Sequence, residues 1–182
     1  MLTIGVIADT HIPDRVRRLD SRVLPIFEAA GVVMILHAGD ISTPRVLAQL
    51  GEVAPVHAVR GNRDWLALPG LPFHQELIVE GVRIGLTHGH GRFVNYVVDR
   101  VDYITRGYRL EMFRPRLVAA FPDAQAIVFG HTHRPLNYLS DGVLLFNPGS
   151  PHFPDLKSTA PSVGLLHIQA GGGVRGEIIE LG

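Results

Sequence analysis

The chain contains no cysteine. Disulfides and thiolate metal sites are therefore excluded, and any metal must be held by nitrogen and oxygen donors. It carries no formal net charge, with 17 basic and 17 acidic residues, so the overall balance points to neither nucleic acid nor an anionic membrane. No apolar stretch approaches the roughly 20 residues of a membrane helix. The opening run from Met1 to Ala8 is apolar, but it lacks a basic flank and is short for a signal peptide. A cytoplasmic protein with no membrane partner is expected. Internal repeats, low-complexity tracts and linkers are missing too. A chain of 182 residues, 46% of them apolar, suits one domain spanning 1–182 with a real core.

What the chain has in quantity is histidine, ten residues, together with twenty glycines and thirteen prolines that imply many loops. Residues 2–8 read as a buried strand ending at Asp9-Thr10-His11. A helix is expected over 21–30, with Ser21 as N-cap and Gly31 just past its end. Val32–His37 is another apolar run, closed by Ala38-Gly39-Asp40. Thr43-Pro44 opens a second helix to about Leu50, with proline at a favoured first-turn position. Val53–Val59 then reads as a third strand, ending at Arg60-Gly61-Asn62. This βαβαβ order with short loops implies parallel strands and helical crossovers.

The second half reads differently. Glu76–Glu80 and Val82–Thr87 suggest a hairpin ending at His88-Gly89-His90. Residues 94–120 read as an irregular helical region broken at Gly107 and Pro115. Ala126–Phe129 is a short strand ending at Gly130-His131-Thr132-His133. Asp141-Gly142 marks a tight hairpin between 134–139 and 143–146, and a last hairpin joins 163–168 to 174–180. Two packed sheets with helices outside satisfy this pattern.

Five strand ends thus finish in polar clusters: Asp9-x-His11, Gly39-Asp40, Gly61-Asn62, His88-Gly89-His90 and Gly130-His131-Thr132-His133. Ligand crevices in α/β sheets lie outside the carboxyl ends of the strands, so loops distant in sequence can converge there. Two carboxylates, an amide and several imidazoles packed together would desolvate and repel one another unless a cation compensates them. Asp, Asn and neutral His suit borderline divalent ions. The glycines before Asp40, Asn62 and His131 permit close backbone approach.

This series resembles the signature of the calcineurin-like metallophosphoesterase superfamily, within it the small YfcE-like phosphodiesterase group. Asn147-Pro148-Gly149-Ser150 is also similar to the segment that follows Gly-His-Thr-His in that group. The resemblance covers nearly the whole chain. It implies a four-layer αββα sandwich of two mixed β-sheets flanked by helices. It implies one metal held by Asp9, His11 and His133, a second by Asn62, His88 and His131, and Asp40 bridging both. The cofactors implied are two divalent ions, manganese first, with iron, nickel, cobalt or zinc as the others. The implied reaction is hydrolysis of a small phosphate ester by a hydroxide lying between the metals. The other functions open to such a chain are a non-catalytic scaffold of the same fold and a small nuclease, with nucleic acid disfavoured by the neutral charge.

Arg63 stands where many superfamily members carry a histidine assigned to leaving-group protonation. Arginine stays charged and cannot serve as a general acid, but its fork can grip a phosphate oxygen. His90 is expected to contact substrate or to act as the acid. His37 is expected to support the site from behind or to pack in the core. His57, His74 and His167 read as structural, and His152 is not expected to reach the crevice. The aromatic and arginine-rich stretch 93–116 reads either as an amphipathic helix packed on the domain or as a cap over the metals or a homo-oligomer contact.

Overall fold

The protein is described by a computed structural model that covers residues 1–91, 110–152 and 160–182. The expected helical region before Leu110, and with it most of the cap or interface segment 93–116, lies outside the described residues.

Among the described residues, ten strands form two five-stranded sheets. The first sheet contains β1 (Leu2–Ile7), β2 (Met34–His37), β3 (Val56–Ala58), β9 (Ser162–Gln169) and β10 (Gly173–Glu180). Its order is β10-β9-β1-β2-β3, with β1, β2 and β3 parallel and β9 antiparallel to both of its neighbours. The second sheet contains β4 (His74–Val79), β5 (Val82–Thr87), β6 (Ala126–Val128), β7 (Pro135–Ser140) and β8 (Val143–Pro148), ordered β4-β5-β6-β8-β7. The hairpins expected from sequence form, yet β5, β6 and β8 run parallel at the centre, so this sheet is mixed.

Alternation along the strands builds the layers. Ile4, Val6 and Ala8 of β1 and its end face the same core as Ile84 and Leu86 of β5, Ala126 and Val128 of β6, and Phe146 of β8. That core fills the space between the sheets. Ile7 points the other way, into a core with α1 (Val23–Ala29) and α2 (Pro44–Gly51) that includes Phe27, Val46 and Leu50. Ile127, Phe129 and Leu145 likewise face outward from the second sheet onto Phe113, Leu117 and Phe121 of α3 (Leu110–Ala120) and its end. The result is the four-layer αββα sandwich. Each fully buried ring such as Phe27 favours folding by about 2–3 kcal/mol.

Local details depart from the sequence expectations. Ser21 does not cap α1; the N-cap position is Arg22, whose amide donates to Asp20 Oδ1 at 2.9 Å. Thr43 does cap α2, with Pro44 at its start. Strand β3 is shorter than expected because Val53 and Ala54 still bond back to Leu50. Pro115 does not break its helix; it sits on the exposed side of α3, where the missing N–H and the ring face water. No described helix is long and apolar enough to cross a membrane.

Candidate metal centre

Each candidate ligand sits where a strand ends and the chain turns sharply. Asp9 and His11 follow β1, Asp40 follows β2, Asn62 follows β3, His88 follows β5, and His131 and His133 follow β6. Five of these seven residues hold the left-handed backbone: Asp9 (φ 54°), His11 (46°), Asp40 (54°), His131 (68°) and His133 (57°). Such backbones are costly for residues with a Cβ, and they persist where surrounding structure enforces them. The enforcement is visible in the main chain. Asp9 N–H donates to Gly39 O at 2.9 Å, His11 N–H to Asp40 O at 3.0 Å, and Gly130 N–H to His88 O at 3.2 Å. Four loops are thereby stitched in two pairs, the Asp9 loop to the Asp40 loop and the His131 loop to the His88 loop. Close approach requires glycine between them: a Cβ on Gly61 would strike the carboxylate and amide of Asp40, and one on Gly130 would lie 2.9 Å from Ala38 O and Asp9 Oδ2.

The donor atoms converge. His11 Nε2 lies 3.1 Å from His133 Nε2, and Asp9 Oδ1 lies 3.9 Å and 3.5 Å from those two nitrogens. Asp9, His11 and His133 therefore offer three ligand atoms to one point. Asp9, Asp40 and His88 offer a second set. Asp40 faces both: Oδ2 is 3.7 Å from His11 Nε2, and Oδ1 is 3.4 Å from His88 Nε2. Asn62 joins the second set, its Oδ1 3.1 Å from His88 Nε2. The His131 ring centroid is 5.1 Å from that of His88. His88 Nδ1 lies 2.8 Å from the carbonyl of Ala38; donating its proton there leaves Nε2 with a free lone pair.

Electrostatics show what this cluster wants. Burial raises the Asp9 carboxyl well above its ordinary range, and the neighbouring Asp40 raises it further. Asp40 is raised too, again by burial, with His88 opposing. Burial lowers His133 to about 3, helped by Arg15, and it also lowers His11 and His131. Burial thus favours the neutral form of the carboxyls and of the imidazoles alike. The His131 amide relieves Asp9 slightly, yet neither Asp9 oxygen has a hydrogen bond of normal geometry, nor does His11 Nδ1. Unsatisfied, fully buried carboxylate oxygens beside neutral imidazoles fit a bound cation, which would release the protons and satisfy the lone pairs.

The supporting residues were mostly missed from sequence. Asp64 is fully buried; Oδ1 accepts from the amides of Ile41 (2.9 Å) and Ser42 (2.8 Å), and Oδ2 from that of Gly61 (2.8 Å). It ties the Asp40 loop to the Asn62 loop. An acid two residues past Gly-Asn was the available signal. Asn147 donates to Gly130 O at 2.8 Å and to Thr132 Oγ1 at 3.1 Å, fixing the His131–His133 turn. Ser150 Oγ donates to Asp9 O at 2.9 Å. His37 meets Thr10 Oγ1 at 3.2 Å and supports the first loop from behind, as expected. His152 departs from expectation. Its ring lies 5.9 Å from that of His11 and 6.5 Å from that of His133, so it borders the crevice.

A cavity of about 1060 Å³ opens beside the cluster, with Asn62, Arg63 and His90 in its lining. The Arg63 amide donates to Asp40 Oδ1 at 2.9 Å. The His90 ring is 5.2 Å from that of His88, and burial lowers its pKa to about 3. His74, expected to be structural, both packs on Phe121 and lines this cavity.

The family model described as the calcineurin-like phosphoesterase superfamily domain matches residues 2–171. A probable metallophosphoesterase of Methanothermobacter thermautotrophicus is 36% identical over 181 residues, covering 100% of this chain and 94% of that protein. Phosphodiesterase YfcE of Escherichia coli is 29% identical over 153 residues, covering 73% of this chain and 72% of that protein. Among solved structures, Vps29 of Entamoeba histolytica in complex with zinc superposes with a TM-score of 0.74 over all of both chains at 22% identity.

Proposed function

Since this chain belongs to the calcineurin-like phosphoesterase superfamily, we propose that it is a dinuclear metal-dependent phosphodiesterase. Asp9, His11 and His133 would hold one ion, Asn62, His88 and His131 the other, and Asp40 would bridge them. The observation that carries this reading is Asp40 itself, a buried carboxylate with one oxygen toward His11 and the other toward His88. When bound, two divalent cations lower the pKa of a water nucleophile and neutralise charge on the phosphoryl oxygens. A non-catalytic scaffold would have no need of seven donor side chains on strained, cross-linked loops, so the ligand set favours an enzyme.

The chain's own residues then define the ester. Arg63 lines the cavity, where a guanidinium grips phosphoryl oxygens and protonates no leaving group. His90 is uncharged near neutrality and is assigned to substrate contact rather than proton donation. Activated aryl diesters should therefore be cleaved faster than alkyl monoesters. The test strips the protein with a chelator, restores manganese, cobalt, nickel or zinc, and compares bis(p-nitrophenyl) phosphate with an alkyl monoester. Asp40→Asn should abolish turnover and lower the metal content below about two ions per chain. A variant with normal turnover and full metal content would overturn the assignment, and a strong preference for alkyl monoesters would overturn the diester reading.

A further inference from the structure

The cavity beside the metal ligands is far larger than a phosphate needs. At about 1060 Å³ it stands at the upper end of the range for sites that bury drug-sized molecules. Beyond Arg63, its lining turns aromatic and apolar, through Trp65, Phe73, Leu117 and Ala120. Trp65 is the single tryptophan of the chain and is 56% exposed, while Phe73 is 39% exposed. The part of the indole left in water at the lip of the site is available stacking surface.

The platform is held in place. Asp64, one residue earlier, is clamped by three amides, and its carbonyl accepts from Leu68 N at 2.9 Å. The Arg60 guanidinium lies 5.0 Å from the Trp65 ring and 4.2 Å from that of Phe73. Its Nη1 donates to Pro69 O at 3.1 Å, and the Arg60 amide donates to Pro72 O at 2.8 Å. The loop between Gly61 and Phe73 is thus closed at its base by one arginine, which also steadies both rings. The rings themselves meet edge to face, 6.2 Å apart. Phe73 is in turn 6.1 Å from the His90 ring. Asn62 and Trp65 belong to this same loop, so the loop positions the candidate metal ligand and the ring surface together.

We infer that Trp65 and Phe73 form a stacking platform that selects phosphate esters whose organic group carries a planar ring, such as an aryl or nucleoside ester. The inference rests on the phosphoesterase reading of the same site. The phosphoryl group lies toward Asn62 and Arg63, and the ring lies on Trp65 with its edge toward Phe73. A ring stacked on an aromatic side chain commonly gains about tenfold or more in affinity.

The test measures binding on manganese-supplemented protein with three ligands that share a phosphate: phenyl phosphate, adenosine 5′-monophosphate and ethyl phosphate. Calorimetry should give at least about tenfold tighter binding for one or both ring-bearing ligands than for ethyl phosphate. Whichever of the two binds tighter names the ring. The lone tryptophan makes intrinsic fluorescence a direct reporter, and ring-bearing ligands should quench it in the wild type. Trp65→Leu should erase the ring preference while ethyl phosphate affinity stays within about twofold, and Trp65→Phe should retain most of it. Because Trp65 is more than half exposed, both variants should fold, which circular dichroism verifies; Phe73→Leu gives an independent reduction. Equal affinities for all three ligands, or a ring preference that survives Trp65→Leu, would overturn the inference. Failure of the phosphodiesterase reading looks different: ring-selective binding and quenching would be intact, with no ester hydrolysed in any metal.

Discussion

Asp64 accepts hydrogen bonds from three main-chain amides and touches no candidate metal-binding atom. Its effect on the site is therefore mechanical. Asp64→Asn keeps the shape but exchanges one acceptor oxygen for a donor, leaving a buried amide facing an N–H. The expected loss is about 2–3 kcal/mol of stability. Metal affinity should fall about 10–100-fold, because the Asp40 and Asn62 loops lose their common anchor. Denaturant melts with metal titration check this, and unchanged metal affinity would show that the loops hold without it. Gly61 is a second such position. A methyl group there runs into Asp40, so Gly61→Ala should abolish metal retention while leaving the two sheets folded. Dialysed protein with a full metal complement would refute it.

At the scale of elements, the strand ends hold the candidate site residues and the helices are tolerant. Pro115 illustrates the tolerance. It lies inside α3 but on its exposed side, while Phe113, Leu117 and Phe121 bury the opposite face against β6 and β8. Tertiary packing overrides the local penalty. Pro115→Ala should restore a helical hydrogen bond and stabilise the protein by about 1 kcal/mol or more, read as a higher melting temperature. A lower melting temperature would mean that the packing of α3 depends on the proline. The joints between sheets are less tolerant. Ser162 N–H donates to Ser150 O at 2.8 Å and its hydroxyl to Pro148 O at 2.7 Å, joining the end of β8 to the start of β9. Ser150 then reaches Asp9 at the end of β1. A chain of short polar contacts thus couples both sheets at the metal end.

At the scale of the whole molecule, the candidate ligands come from both sheets: Asp9, His11, Asp40 and Asn62 follow the first, and His88, His131 and His133 the second. A metal bound there would cross-link the two halves of the sandwich, so chelation should lower the melting temperature. The size of that shift should depend on pH. Asp9 and Asp40 have folded pKa values raised above 3.8, so the metal-free folded state holds protons that the unfolded chain has released. Stability of the metal-free form therefore falls as pH rises through the window between 3.8 and the raised values. Metal must displace those protons, so its affinity rises over the same window. The melting-temperature gap between metal-loaded and metal-free protein should widen as pH rises above 3.8. A gap that narrows with rising pH would contradict the electrostatics of the cluster. The buried imidazoles act in the opposite limb. His90 and His133 sit near 3 against 6.5 unfolded, so stability is present above 6.5 and is lost as pH falls toward about 3.

Much of this was written in the one-dimensional pattern. Buried strands of parallel sheets are short continuous apolar runs, and a polar residue that ends such a run must lie at a sheet edge, where crevices form. Asp9, Asp40, Asn62, His88 and His131 were legible as candidates for that reason, and the expectation of a cation followed from their chemistry. Tertiary structure decided what has no local signature. That β5, β6 and β8 pair in parallel depends on which strands the chain brings side by side, and the expected hairpins do not specify that. The supporting roles of Asp64, Asn147 and Ser150 depend on main-chain groups 17 to 141 residues away. His152 reaches His11 only because the end of β8 packs against the end of β1. The Trp65–Phe73 platform exists only because a loop closes under Arg60. Ligand identity is a property of residue type and can be read along the chain; orientation and support come from groups brought together in space, and only the folded sandwich fixes them.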